Sequence, residues 1–327
     1  MIYLNNAATS WPKAPGVAEA VRRSLEAPAV EPGRGGARGQ DAAGLCRRRL
    51  ARLLGVPDPA RIVFTASATA SLNLAIRGLR LAAGDLAVTT AAEHNSVLRP
   101  LEQLRRERGV RVEVVGLAPD GELDEEQLER ALARGPRLAV FTHASNVTGR
   151  VYPVARWLAR ARRAGAVTLL DASQSLGHVE VRPLELGADL AAFTGHKGLL
   201  GPAGTGGLWV SPAIELGQWM VGGTGTRSDL LSHPPEMPLR LEAGTPNLPG
   251  LAGLAAALQW LEAHGAQWRE RARRAAELLA AEIEAVGGVR LFGRGGAGPT
   301  GVLSFRLAGW SVEDAGHALE ESFGDRK

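Results

Sequence analysis

The chain has 327 residues, 45% of them hydrophobic, with 38 Lys plus Arg against 34 Asp plus Glu, a formal charge of +4 and one cysteine. That length supports a large core and favours two domains, and the lone Cys46 excludes an internal disulfide framework. The basic residues are interspersed with acids, as over Arg99 to Arg111 with its Glu102 and Glu107, and no apolar run is long enough to cross a bilayer, so neither a nucleic-acid nor a membrane partner is expected.

In chain order, Ala42 to Leu54 reads as a helix carrying Arg47, Arg48, Arg49 and Arg52. Strand-like apolar runs then follow at 61–65, 86–90, 110–115, 138–142, 167–171, 190–194 and 206–210. Helices are predicted between them at 70–79, 96–108 and 154–164, the last opening just beyond Pro153. This alternation predicts an α/β protein with a largely parallel sheet, in which ligands gather at the carboxyl ends of the strands. Beyond Pro234 to Pro238 the composition shifts, and two Ala- and Leu-rich helices are predicted at 250–264 and 267–286. Strands at 289–292 and 301–306 and a helix at 311–322 suggest a smaller α+β unit. The expected division is a large domain over 15–240 and a small one over 241–327, with residues 1–14 associated with the small one. The glycine-rich stretches 33–39 and 293–298 read as loops.

Lys197 is one of three lysines, with Lys13 and Lys327, in a chain that otherwise meets its need for positive charge with arginine. Arginine does not lose its proton near neutral pH, whereas a lysine amine can become a neutral nucleophile toward an aldehyde. Asp171 ends an apolar strand, where a carboxylate needs a cation such as a protonated pyridine nitrogen. It could instead cap the next helix or bind a metal, but no His, Cys or acidic cluster at ligand spacing accompanies it. The segment Thr65-Ala-Ser-Ala-Thr69 precedes a helix, so its backbone N–H groups and the Ser67 and Thr69 hydroxyls either hold a phosphate or simply cap that helix. His94 follows a strand and either stacks on an aromatic ring or serves as an ordinary hydrogen-bonding loop residue. Asn146 could bond a ring hydroxyl or shape a turn. Gln174 could reach the same hydroxyl, and Thr194 and His196 flank Lys197 to complete a phosphate pocket.

Taken together, Leu4-Asn-Asn-Ala-Ala-Thr9, Glu93-His-Asn-Ser-Val97, Thr142-His-Ala-Ser-Asn146, Asp171-Ala-Ser-Gln174 and Thr194-Gly-His-Lys197-Gly resemble the class V aminotransferase family of pyridoxal 5′-phosphate enzymes. The likeness is greatest to the cysteine desulfurase and selenocysteine lyase branch and spans nearly the whole chain. It implies fold type I, with a large, mostly parallel-sheet domain and a smaller α+β domain. It also implies Lys197 and His94 as catalytic residues, Lys197 binding the cofactor covalently and His94 stacking on its ring. By the same resemblance, Asp171 pairs with the pyridine nitrogen, Asn146 and Gln174 bond near the ring oxygen, and Ala68, Thr69, Thr194 and His196 hold the phosphate. Family members are homodimers, which makes Thr245, in Glu242-Ala-Gly-Thr-Pro-Asn247, the residue offered to the partner's phosphate.

The implied reaction converts L-cysteine to L-alanine and passes the sulfur to an acceptor protein. A cytoplasmic protein is expected from the single cysteine, the lack of a bilayer-spanning run and an N-terminus with no basic region ahead of an apolar stretch. The family places a nucleophilic Cys in a Gly-x-His-Cys-like loop near the C-terminus, followed by an Arg for the substrate carboxylate. Neither is present before Lys327, so a truncated or frame-shifted product with an incomplete small domain is expected. Cys46, inside a helix and far from the cofactor motifs in sequence, is expected to be structural. The alternatives are another class V lyase or aminotransferase that needs no cysteine, or a catalytically incomplete cofactor-binding fragment.

Overall fold

A computed structural model of the chain describes residues 3–27, 41–227, 229–293 and 300–323. The expected loop at 33–39, nearly all of the one at 293–298 and the final tripeptide lie outside the described residues. Seven strands form the main sheet: β1 (Ile62–Thr65), β2 (Leu86–Thr90), β3 (Arg111–Val115), β4 (Leu138–Thr142), β5 (Val167–Asp171), β6 (Leu190–Thr194) and β7 (Gly206–Val210). Their spatial order is β1-β7-β6-β5-β4-β2-β3. Pairing is parallel from β3 through β6, and β7 runs antiparallel to both of its neighbours.

Every residue of β2, β4, β6 and β7 is buried, the signature of strands covered by helices on both faces. Alternation along β4 sends Ala139 and Phe141 into one apolar cluster and Leu138 and Val140 into another, because successive strand side chains point to opposite faces. Around the sheet lie α1 (Val17–Glu26), α2 (Ala42–Leu54), α3 (Ala68–Gly78), α4 (Asn95–Arg108), α5 (Glu125–Leu132), α6 (Val154–Arg163) and the short α7 (Pro183–Leu186). In α6 the buried set Val154, Trp157, Leu158 and Ala161 has helical spacing and leaves the arginines outside.

One sequence expectation is corrected. The two helices predicted at 250–264 and 267–286 are a single helix α8, Leu248–Ala285, of 38 residues. Asn247 caps it by accepting from Gly250 N at 3.0 Å. His264-Gly265 reads as a break because glycine weakens a helix by about 1 kcal/mol relative to alanine, a penalty too small to end one flanked by strong helix formers. The first half of α8 buries Leu251, Leu254, Leu258 and Leu261, and packs on α1 and α2. Beyond it, β8 (Val289–Phe292) and β9 (Ser304–Leu307) form an antiparallel hairpin, followed by α9 (Val312–Phe323).

Residues 7–14 hydrogen-bond to segments that follow β5 and β6: Gln174 Nε2 donates to Ala7 O, Ser10 N to His196 O and Ala14 N to Leu200 O. No described helix is long and apolar enough to cross a membrane.

Candidate active site

The parallel registers align the carboxyl ends of adjacent strands. Thr142 pairs with Asp171 and Asp171 with Ala192, so the chain leaves β4, β5 and β6 on one side of the sheet. A cleft there is lined by Ser67, Ala68, Thr69, His94, Ser96, Thr142, Ala144, Asn146, Asp171, Ser173, Gln174, Thr194, His196 and Lys197.

All the sequence-selected site residues except Thr245 meet in this cleft; Thr245 is exposed between β7 and α8 and does not line it. Sequence reasoning did not assign Ser96, Thr142, Ala144 or Ser173, although Ser96 and Ser173 lie inside the motifs that drew attention to His94 and Asp171. Among the described residues no cluster of His, Cys, Asp and Glu is able to hold a metal ion.

Burial lowers the pKa of Lys197, and the nearby Asp171 carboxylate partly opposes that shift. The two groups therefore sense each other, while Lys197 Nζ makes no hydrogen bond among the described residues. Asp171 is 3% exposed, and its Oδ1 accepts from Ser173 N at 2.9 Å and from the Ser173 hydroxyl. Its Oδ2 has no partner among the described residues. Gln174 is held by its amide bond to Ala7 O at 2.9 Å.

In the same cleft, Ser67 caps α3 by accepting from Ala70 N at 3.2 Å. The bland reading of that serine is thus correct for its side chain, but the first-turn N–H groups of Ala68 and Thr69 remain free to meet an anion. Thr69 Oγ1 bonds Ser96 Oγ at 2.7 Å, tying α3 to α4. His94 caps α4 in turn: its Nδ1 accepts from Ser96 N at 3.1 Å, which fixes the ring plane and puts the proton of a neutral imidazole on Nε2. His196 has a buried Nδ1 with no hydrogen-bond partner, and burial, then Lys197, then Lys13 lower its pKa.

A lysine facing a buried carboxylate, with an anion cradle at one helix N-terminus and a cap-fixed imidazole at the next, is the layout of a pyridoxal phosphate enzyme of fold type I. A family model described as aminotransferase class-V matches residues 2–324, and the chain belongs to that family. A probable cysteine desulfurase of Methanothermobacter thermautotrophicus is 37% identical over 269 residues, covering 80% of this chain and 66% of the relative. A cysteine desulfurase of Pectobacterium carotovorum is 34% identical over 283 residues, covering 84% of this chain and 69% of the relative. The solved apo cysteine desulfurase of Thermococcus onnurineus superposes with a TM-score of 0.89 at 32% identity, covering 98% of this chain and 82% of that one. The chain spans 66% and 65% of the lengths of the first two curated relatives it matches.

The family's cofactor is pyridoxal 5′-phosphate, and the residues present fit it. Asp171 Oδ2 is an unpaired acceptor suited to a protonated ring nitrogen. The orphaned His196 Nδ1 and the free N–H groups of α3 suit a phosphate, and Lys197 Nζ is an unengaged amine for the aldehyde.

Cys46 lies elsewhere. It is 0% exposed in the core contributed by α2, and burial pushes its thiol up to about 12 despite the nearby Arg47 and Arg49. A thiol so placed is inert, as the sequence reading expected.

Proposed function

We propose that the chain catalyses pyridoxal phosphate-dependent removal of sulfur from L-cysteine, leaving L-alanine. The observation that supports this most is the presence of Lys197 and Asp171 in one cleft with His94 and the α3 N-terminus. When bound, the cofactor supplies an electron sink that weakens the bonds at the substrate Cα. Lys197 would hold it covalently, and its Nζ is the group placed to take and return the Cα proton. Its lowered pKa raises the neutral fraction available for that transfer. Asp171 keeps the ring nitrogen charged, and His94 stacks on the ring. Asn146 and Gln174 bond the ring oxygen, and Ala68, Thr69, Thr194 and His196 hold the phosphate.

A second copy of the chain completes the site in this reading. Thr245, exposed and outside its own cleft, reaches the phosphate of the partner in a homodimer. The protein works in the cytoplasm, where its one thiol stays reduced.

The sulfur step needs a thiolate that attacks the substrate sulfur: a thiol and L-cysteine give a persulfide and L-alanine, with no net oxidant. Buried Cys46 cannot serve as that thiol, so the test supplies one from solution. With cofactor, L-cysteine and excess dithiothreitol, alanine and sulfide form together, and both vanish in Lys197→Ala. Alanine formation that survives Lys197→Ala would refute the assignment. The burial of Cys46 also favours a second reading, a class V lyase or aminotransferase that needs no cysteine thiol. Products other than alanine from a panel of amino acids, with L-cysteine inert, would select it.

A further inference from the structure

Lys13, the other lysine among the described residues, has no part in the chemistry above. Its Nζ donates to Thr9 Oγ1 at 3.2 Å, Ser10 Oγ at 3.1 Å and the His196 backbone oxygen at 3.1 Å. Those three acceptors equal in number the three N–H bonds of an ammonium. All three acceptors are neutral. Burial lowers the pKa of Lys13 and no carboxylate raises it, so the charge is uncompensated among the described residues. It lies directly behind the residue that precedes Lys197, and the His196 imidazole senses it. The Ser10 N–H also donates to the His196 oxygen, at 2.9 Å, so the N-terminal segment holds this peptide from one side.

We propose that Lys13 is a positioning residue for the phosphate end of the ligand. Its unpaired cation, anchored on the His196 carbonyl, provides the positive potential that favours a phosphate dianion over a neutral group, without touching it. The inference rests on the cofactor reading above and adds a residue that lies outside the cleft. An unpaired half-buried cation is costly unless an anion compensates it, and the cleft beyond His196 is where the phosphate is held.

The test is to titrate wild-type, Lys13→Met, Lys13→Gln and Lys13→Arg chains with pyridoxal 5′-phosphate and with pyridoxal, following the visible band of the lysine-bound aldehyde. Loss of the charge-assisted interaction predicts that Lys13→Met and Lys13→Gln weaken pyridoxal 5′-phosphate binding by about tenfold. Pyridoxal binding stays as in wild type, and Lys13→Arg restores the preference for the phosphorylated form. Lys13→Gln keeps N–H donors for the same acceptors, so it carries the test if Lys13→Met does not fold. Equal weakening of both ligands would reduce Lys13 to a brace for the 196–197 peptide and overturn the proposal, as would no change in either. If the wild-type chain shows no band that disappears in Lys197→Ala, the cofactor reading itself fails, and this inference fails with it.

Discussion

Gly206 is a residue at which a single added carbon would disturb the proposed phosphate cradle. It lies in β7, paired with Thr65 of β1 on one side and Thr194 of β6 on the other, so its strand cannot recede. A Cβ at this position would stand 2.6 Å from Ser67 C, 2.8 Å from Ser67 Cα and 3.0 Å from Ala68 N, all backbone atoms. Ordinary contact begins at 3.4 Å, so the first turn of α3 has to move outward by roughly 0.8 Å in Gly206→Ala. Such overpacking costs about 1–3 kcal/mol of stability. The functional consequence is larger in proportion, because the Ala68 and Thr69 N–H groups move away from Thr194 and His196. Misplacement on this scale predicts a loss of roughly 10- to 100-fold in affinity for pyridoxal 5′-phosphate. The assay is the visible-band titration, run beside pyridoxal, together with thermal denaturation of the unloaded chain. Pyridoxal binding should change little. If Gly206→Ala lowers the melting temperature but binds pyridoxal 5′-phosphate within about twofold of wild type, the α3 N-terminus does not hold the phosphate and the reasoning is wrong.

Three further outcomes are expected. Cys46→Ala should leave thiol-dependent sulfide release unchanged while costing on the order of 1 kcal/mol of stability through the small cavity it leaves, read by denaturant titration beside the activity assay. Gly265→Ala should stabilise the protein by up to about 1 kcal/mol, since the only tight neighbour of the new Cβ is the flexible end of Arg269 at 3.1 Å, and a lowered melting temperature would count against one continuous α8. His143 is 6% exposed, and burial lowers its pKa from 6.5 to about 4. The unfolded chain therefore binds a proton below pH 6.5 that the folded chain refuses, and stability falls by roughly 3 kcal/mol between 6.5 and 4 on this account. Buried Glu93 acts with the opposite sign, its pKa being raised by burial, so the contribution of His143 is the difference in pH slope between wild type and His143→Gln. Parallel slopes would refute it.

The bounds of β2, β4, β5, β6 and β7 agree at both ends with the runs read from the sequence, because buried strands are continuous apolar stretches ended by small polar residues. The same pattern showed that Asp171, Asn146 and the Lys197 segment follow strand ends, where a doubly covered sheet opens to ligands. Less was legible where local signals compete, as at His264-Gly265, whose weak break is overridden by the helix formers around it.

What the sequence determined by itself was the fold class, the run of strands, and a set of residues, Lys197 and Asp171 among them, that line one cleft in the folded chain. Folding alone decided which groups compensate one another. Lys13 reaches the His196 carbonyl across 183 residues of chain, and Glu93 receives the Thr142 N–H at 2.7 Å across 49. A residue's charge is written in its side chain, but whether that charge is paired, buried or left for a ligand depends on neighbours that are brought together only by the strand register.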